Sequence, residues 1–294
     1  KTSFRFEAIV HDDASTDRSA AIIKEYAEKY PDIIKPIYET ENQYSKHDGS
    51  LGRIMTEACR GKYIAFCEGD DYWIDPLKLQ KQVDFLEYNT DYSMSHTNNI
   101  CYDQKKKTFI HDVCEYKKNE ISNGLTCEDI IRYPRIVMTL TVMIRKSVYD
   151  LVNNSDSFIF NSGNFLLGDV PKWYTAARLG KVHYLRDVTS TYRILESSAS
   201  HIKGYRNRYK FAVSAQGLRA YLCRRDKLSP ELSSLIENKY ANVLLHHLVL
   251  NPQYKPVVPL LPNTYTFELS LQKLRLLGLY LIFKDIYREI KRIF

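Results

Sequence analysis

Apolar residues at the start of the chain fall into short runs divided by stretches of helical spacing. Phe4 to Val10 reads as a strand that stops at His11-Asp12-Asp13-Ala14-Ser15-Thr16-Asp17. Ser15 or Thr16 supplies a hydroxyl cap for a helix reaching Tyr30, where Pro31 stops it. Ile33 to Tyr38 is a second short strand. Gly49 to Arg60 reads as a helix with Ile54, Met55 and Ala58 inward; Gly61 ends it, and Lys62 to Cys67 is a third strand. Pro76 opens a further helix reaching at least Tyr88. Strands and helices alternating over short connections predict a parallel sheet covered by helices.

Residues 92–101 and 136–145 are strand-like, and the polar stretch between them, with Lys105-Lys106-Lys107, reads as a loop or hairpin. A helix rich in Trp, Tyr and Ala covers 170–179, Gly180 ends it, and Val182 to Leu185 is strand-like again. Beyond that the spacing is helical over 205–226, 230–250 and 267–294. Pro252, Pro256, Pro259 and Pro262 predict a stiff, extended linker before the last helix. No internal repeat is visible. A parallel α/β sheet usually opens with a buried strand and a helix ahead of an acidic turn such as 11–17. The expectation is therefore a truncated chain or a sheet incomplete at that edge.

Composition narrows the class. With 294 residues, 44% hydrophobic and 26% charged, the chain can bury a sizeable core and is neither disordered nor low-complexity. The longest apolar run, Leu276 to Phe283, falls far short of the ~20 residues of a membrane span. No signal peptide opens the chain. The six cysteines show no regular spacing, which argues against a zinc site or a disulfide framework and for a reducing, cytoplasmic setting. Charge is uneven: residues 1–202 hold 26 Lys+Arg against 29 Asp+Glu, and residues 203–294 hold 16 against 6. A basic tail favours a phosphate-bearing surface. On a helical wheel, Leu279, Phe283, Ile286, Ile290 and Ile293 share one line, and Lys284, Arg288, Lys291 and Arg292 lie opposite. That pattern suits a helix within 267–294 lying in an anionic membrane interface, at the inner face of the plasma membrane, although the same apolar face would equally serve to pack on the rest of the chain; no nucleic-acid partner is expected.

Three acidic sites follow strands or open helices. Asp12-Asp13 sits at a strand end, where open α/β sheets bind ligands, although a turn or cap uses the same residues. Glu68-Gly69-Asp70-Asp71 follows the strand Tyr63-Ile64-Ala65-Phe66-Cys67. Clustered carboxylates repel one another unless a cation sits among them, and their hard oxygens suit Mg²⁺ or Mn²⁺ bridging a diphosphate. Gly168-Asp169 lies just before a helix, where a lone carboxylate serves as a general base or as a cap.

These pieces resemble family 2 glycosyltransferases. Phe6-Glu7-Ala8-Ile9-Val10-His11-Asp12-Asp13-Ala14-Ser15-Thr16-Asp17 is similar to that family's nucleotide-binding segment, usually a Glu, two apolar residues and Val-Asp-Asp-Gly-Ser-Thr-Asp. Gly61 to Asp71 resembles its strand and metal motif, Gly168-Asp169 sits at its second acidic motif, and Tyr192-Arg193 followed by Ser197-Ser198-Ala199-Ser200 resembles its tyrosine–arginine segment. The four pieces, in order, span residues 4–202. Three positions depart from the pattern: Glu68 replaces Asp, Gly168 replaces Glu, and Leu195 stands where a histidine is frequent, with His201 as its substitute.

The resemblance implies a GT-A fold: a Rossmann-like α/β architecture with a mixed, mainly parallel sheet flanked by helices. It implies a catalytic domain over 1–202, with a nucleotide-sugar half over 1–91 and an acceptor half over 92–202; residues 203–294 form a helical extension. It further implies an inverting, metal-dependent transfer from a nucleotide-sugar, with a UDP-type donor, to a glycan or lipid-linked acceptor in bacterial polysaccharide synthesis. By residue, Asp12 or Asp13 holds the base, Asp70 lies near the ribose, Asp71 with Glu68 binds Mn²⁺ or Mg²⁺, and Asp169 deprotonates the acceptor. Arg53 and Arg193 are candidates for the diphosphate. Two other classes compete. A nucleotidyltransferase also uses carboxylates and a metal, but the Gly-rich phosphate loop it needs is not visible. A non-catalytic protein that binds sugar nucleotides or membranes would have no use for Asp169.

Overall fold

The computed structural model describes residues 1–46, 48–111, 124–160, 162–195, 204–251 and 253–258. His201, the serine-rich stretch 197–200, the prolines at 252, 259 and 262, and the helix expected over 267–294 lie outside the described residues. The described parts of 1–163 and 168–195 form one compact unit; residues 164–167 and the described residues from 204 onward form a second.

The first unit opens with β1 (Ala8–Asp12), α1 (Ser19–Lys29), β2 (Ile34–Tyr38) and α2 (Ser50–Ala58). β1 and β2 pair in parallel, from Ala8 opposite Ile34 to Asp12 opposite Tyr38. That pairing shifts the first strand later than Phe4 to Val10 and puts Asp12 at its last position. The first helix also starts later than expected, at Ser19, and neither Ser15 nor Thr16 caps it; Asp12 and Asp17 instead accept amides of the turn that leads into it. Asp12 Oδ2 accepts from Ser15 N at 3.3 Å, and Asp17 Oδ1 accepts from Ser19 N at 2.8 Å.

The larger sheet contains β3 (Tyr63–Ala65), β4 (Tyr72–Trp73), β5 (Tyr92–Asp103), β6 (Thr108–His111), β7 (Met143–Arg145) and β8 (Lys181–Ile194). Its order is β3-β7-β5-β8-β4, with β6 on β5. The long central pair β5–β8 is parallel, and the other pairs of this sheet are antiparallel. β3 therefore pairs with β7 and not with β1 or β2. The lysine triplet forms the expected hairpin turn between β5 and β6, where Asp103 Oδ1 accepts from the Lys105 and Lys106 amides.

Helices cover this sheet: α3 (Lys78–Tyr88), α4 (Cys127–Arg132), α5 (Lys146–Asn154), α6 (Ser157–Phe160) and α7 (Asp169–Leu179). Most of 136–145 is not strand, because a 3-10 turn, Thr139–Thr141, precedes β7. Leu86, Met94, Ile130, Ile144, Trp173 and Val182 are buried between helices and sheet. Arg145 ties α3 to this core: its guanidinium donates to the Leu86 and Asn89 carbonyls at the end of α3 and to the Tyr92 carbonyl at 2.7 Å. A cation on the last carbonyls of a helix complements its dipole. Gly180 lets β8 start close against β5, since a Cβ there would meet Ser93 N at 3.0 Å and Asp91 O at 3.1 Å.

The second unit contains α8 (Tyr205–Asp226) and α9 (Pro230–Leu250), close to the helical spacing in the sequence. Lys227, at φ 51°, turns the chain between them. Leu232, Ile236, Tyr240 and Leu244 form the buried stripe of α9, and Arg224 binds Glu237 through two bonds of 2.7 Å. Among the described residues no helix is long and apolar enough to cross a membrane.

Candidate functional site

The sequence-predicted site residues all fall in the first unit. Asp12 ends β1 and is 5% exposed. Its Oδ2 takes the Ser15 amide, while its Oδ1 is buried with no hydrogen-bond partner. A buried acceptor left unpaired is costly, so this oxygen suits a ligand donor. Asp13 is spent differently. Its two carboxylate oxygens accept from Gln43 N at 2.7 Å and Tyr44 N at 2.9 Å, which pins the 41–46 loop to the strand end. The turn that follows the two aspartates places Ala14 at φ 59°, a conformation that favours glycine.

The turn after β3 carries Glu68, Asp70 and Asp71. It is closed by a hydrogen bond from Asp71 N to Glu68 O at 3.0 Å. Asp71 Oδ1 accepts from Arg193 N at 2.8 Å, so the strand end of β8 meets the turn. Burial pushes the Asp71 carboxyl up to about 6, against the pull of that amide, and Asp70 adds repulsion. Glu68 has an exposed side, but the protein around it strips enough hydration to push its carboxyl up to about 7. Asp71 and Asp70 add to that rise, and a hydrogen bond from the Thr139 side chain opposes it. Raised, mutually repelling carboxylates are the electrostatic setting that a cation reverses. Among the described residues no three His, Cys, Asp or Glu side chains converge on one metal position. Glu68 and Asp71 carry hard carboxylate oxygens of the kind that could join phosphate and water around a divalent ion.

Asp169 is the first residue of α7, and its Oδ1 accepts from Val170 N at 2.8 Å. Burial raises its carboxyl above the ordinary value, with Lys172 pulling the other way. An aromatic cluster links its helix to the acidic turn. Phe66, between β3 and Glu68, meets Trp173 of α7 edge-on at 5.5 Å and Tyr149 of α5 at 5.4 Å. The Arg193 guanidinium donates to Gln104 Oε1 at 3.2 Å and exerts its charge on Asp71. Arg53 is exposed and donates to the Asp48 carbonyl at 3.4 Å.

Sequence reasoning missed Thr139, Phe66 and Trp173. Thr139 carries no motif signal because it lies in a run read as strand. Phe66 and Trp173 have only the ordinary signature of core aromatics.

Residues 1–147, half of the chain, match the model described as Glycosyl transferase family 2, and the chain belongs to that family. The GT-A expectation holds at the level of fold. S. aureus TarS 1-349 superposes with a TM-score of 0.50 at 16% identity, covering 92% of this chain and 69% of that chain. Over 138 residues the chain is 35% identical to the uncharacterized protein Rv1520 of Mycobacterium tuberculosis (strain ATCC 25618 / H37Rv), covering 47% of this chain and 39% of that protein. The chain thus spans well under half the length of such mycobacterial relatives. It is also 32% identical over 87 residues to the UDP-Glc:alpha-D-GlcNAc-diphosphoundecaprenol beta-1,3-glucosyltransferase WfaP of Escherichia coli, covering 30% of this chain and 32% of that protein.

Proposed function

We propose that the chain transfers a sugar, with inversion, from a UDP-type nucleotide-sugar to a hydroxyl of a glycan or lipid-linked acceptor in bacterial polysaccharide synthesis. The observation that carries this reading is the acidic turn, where Glu68 and Asp71 present raised, mutually repelling carboxylates beside Arg193. Glu68 and Asp71 would hold Mn²⁺ or Mg²⁺. When bound, such an ion supplies positive charge that offsets the charge growing on the departing diphosphate. The free Oδ1 of Asp12 accepts the imino N–H of a uracil-type base, and Asp70 faces the ribose. Arg193 adds cationic charge near the diphosphate, and Arg53 stays a weaker candidate for the same contact.

Asp169 takes the proton from the acceptor hydroxyl as that oxygen attacks C1 of the sugar. The new C–O bond forms on one face while the bond to the nucleoside diphosphate breaks on the other, which inverts the anomeric centre. A carboxyl raised by burial is a stronger base than an exposed one, which suits this step. The similarity to WfaP, named for a UDP-glucose donor and a diphosphoundecaprenol-linked acceptor, supports the same donor and acceptor classes. The basic charge of residues 203–294 supports peripheral contact with an anionic membrane, at its cytoplasmic face.

The test incubates the full chain with UDP-sugars and Mn²⁺, with and without lipid-linked glycan acceptors, and measures nucleoside diphosphate release. Release that needs both the ion and an acceptor supports the reading. Pyrophosphate formed from a nucleoside triphosphate and a sugar phosphate would instead mark a nucleotidyltransferase. Tight donor binding with no turnover would mark a binding protein.

A further inference from the structure

Beneath the acidic turn runs a buried polar chain that the proposed chemistry does not use. Lys78 opens α3 and is 1% exposed, and Gln82, one turn later, is fully buried. Lysine is seldom buried, because dehydrating an ammonium is costly. Burial lowers this amine to about 7. Lys78 Nζ donates to Gln82 Oε1 at 2.7 Å. Gln82 Nε2 donates in turn to Ser95 O at 3.1 Å and to Thr141 O at 3.0 Å. A second route leaves the same amine. Lys78 Nζ stands 4.7 Å from the centroid of the Trp73 ring, and Trp73 Nε1 donates to Leu140 O at 2.9 Å. Ser190 Oγ reaches the same carbonyl at 3.3 Å. Both routes end on the 3-10 turn Thr139–Thr141; Val142, which follows it, accepts from Phe66 N at 3.4 Å two residues before Glu68, and the Thr139 side chain favours the ionised Glu68.

An apolar side chain of the same length would fill this space without the dehydration cost. What the amine adds is direction. Its Nζ donates to Oε1, so the Gln82 amide is fixed with Oε1 toward the amine and Nε2 toward the two carbonyls. We infer that Lys78 and Gln82 are positioning residues for the acidic turn, holding Thr139–Thr141 where the Thr139 hydroxyl meets Glu68. The functional consequence rests on the glycosyl-transfer reading above; the geometric claim does not.

The test compares Lys78→Met and Gln82→Leu in the full chain. Backbone hydrogen exchange is read at Asp71, bonded to Glu68 O at 3.0 Å, and at Val142, bonded to Thr139 O at 3.0 Å. Both amides are expected to exchange about tenfold faster, the effect of losing one buried hydrogen bond. The amide of Gly180, bonded to Ala176 O at the far end of α7, stays unchanged. In donor turnover, kcat falls about tenfold while the donor KM moves less than about twofold, the mark of lost positioning. Thr139→Val lowers kcat similarly, and combining it with Lys78→Met adds little, because both act on one contact. Unchanged exchange at Asp71 and Val142 overturns the inference. So does faster exchange with unchanged kcat, which leaves Lys78 and Gln82 as packing residues. If the wild-type chain releases no nucleoside diphosphate from any nucleotide-sugar, the glycosyl-transfer reading fails, and the exchange measurement still decides whether the turn is held.

Discussion

Asp169→Asn separates the proposed chemistry from the fold. Asparagine keeps the Oδ1 acceptor that Val170 N uses at 2.8 Å, so the start of α7 stays satisfied. Burial no longer opposes a charge at this position, which favours the variant. The favourable meeting of a carboxylate with the helix N-terminus is lost, about 0.3–1 kcal/mol. The two effects oppose, so the net change should stay within about 1 kcal/mol, or about 2–4 °C in Tm for a domain of this size. Turnover should behave differently. Without a base the acceptor hydroxyl must lose its proton unaided, a loss of roughly 10²–10⁴-fold in the chemical step. The pH profile gives an independent reading. In the wild-type chain the rate climbs as Asp169 ionises, and burial puts that limb above the ordinary carboxylate range. In the variant that limb disappears. Nucleoside diphosphate release with saturating acceptor, from pH 4 to 9, measures both effects. A loss below about tenfold with the fold intact, or a loss confined to donor KM, would refute the assignment of Asp169 as base.

Asp71→Asn should abolish most ion-dependent turnover while keeping the acceptor for Arg193 N; near-wild-type rates at low Mn²⁺ would remove Asp71 from ion binding. Ala14→Gly should raise stability by about 0.5–1 kcal/mol, because the backbone at φ 59° strains an L side chain. Urea denaturation reads that gain, and a lower midpoint would show that the turn tolerates Ala14 without strain. His183, stacked on Phe85 at 3.4 Å, is held neutral by burial, its pKa lowered from 6.5 to about 4. The unfolded chain therefore binds more protons between those values. This contribution to stability is full above pH 6.5 and is lost as pH falls toward 4. His183→Phe should flatten the acid side of the stability profile, and an unchanged slope would place the acid sensitivity elsewhere.

The acidic sites were legible because strand ends followed by carboxylates form a local pattern. The elements least legible were those whose buried residues are polar. Only Val182 to Leu185 signalled β8, yet the strand continues to Ile194 with Thr189, Ser190 and Thr191 buried. Thr189 Oγ1 meets Thr97 Oγ1 across the sheet at 2.6 Å and Ser190 Oγ donates to Leu140 O at 3.3 Å, while Thr191 Oγ1 finds no partner among the described residues. β5 also buries Ser95, Thr97 and Asn98, yet the sequence already reads 92–101 as strand-like. A hydrophobic pattern finds strands by their apolar face, so a strand paired through its hydroxyls escapes it. α4 was missed for a different reason. It is too short for periodicity, though Thr126 and Asp129 form a capping box three residues apart, a signal that sequence can carry.

The pair Asp12-Asp13 shows where sequence stops and structure decides. The two are adjacent, chemically identical and at the same strand end, so no pattern ranks them as ligands for the nucleotide base. Their difference is set about thirty residues away in sequence, at Gln43 and Tyr44, whose amides reach both oxygens of Asp13. Asp12 lies one residue earlier, inside the parallel pairing with β2, where its side chain is buried and one oxygen finds no donor. Asp13 therefore fixes the 41–46 loop, and Asp12 is the one left with an oxygen for the proposed ligand. The acidic turn repeats the division of labour: Asp71 is tied to Arg193 N by one oxygen, which fixes its direction, while burial, with Asp70 adding repulsion, raises its carboxyl. In both places one contact orients a carboxylate and leaves its remaining capacity to a ligand.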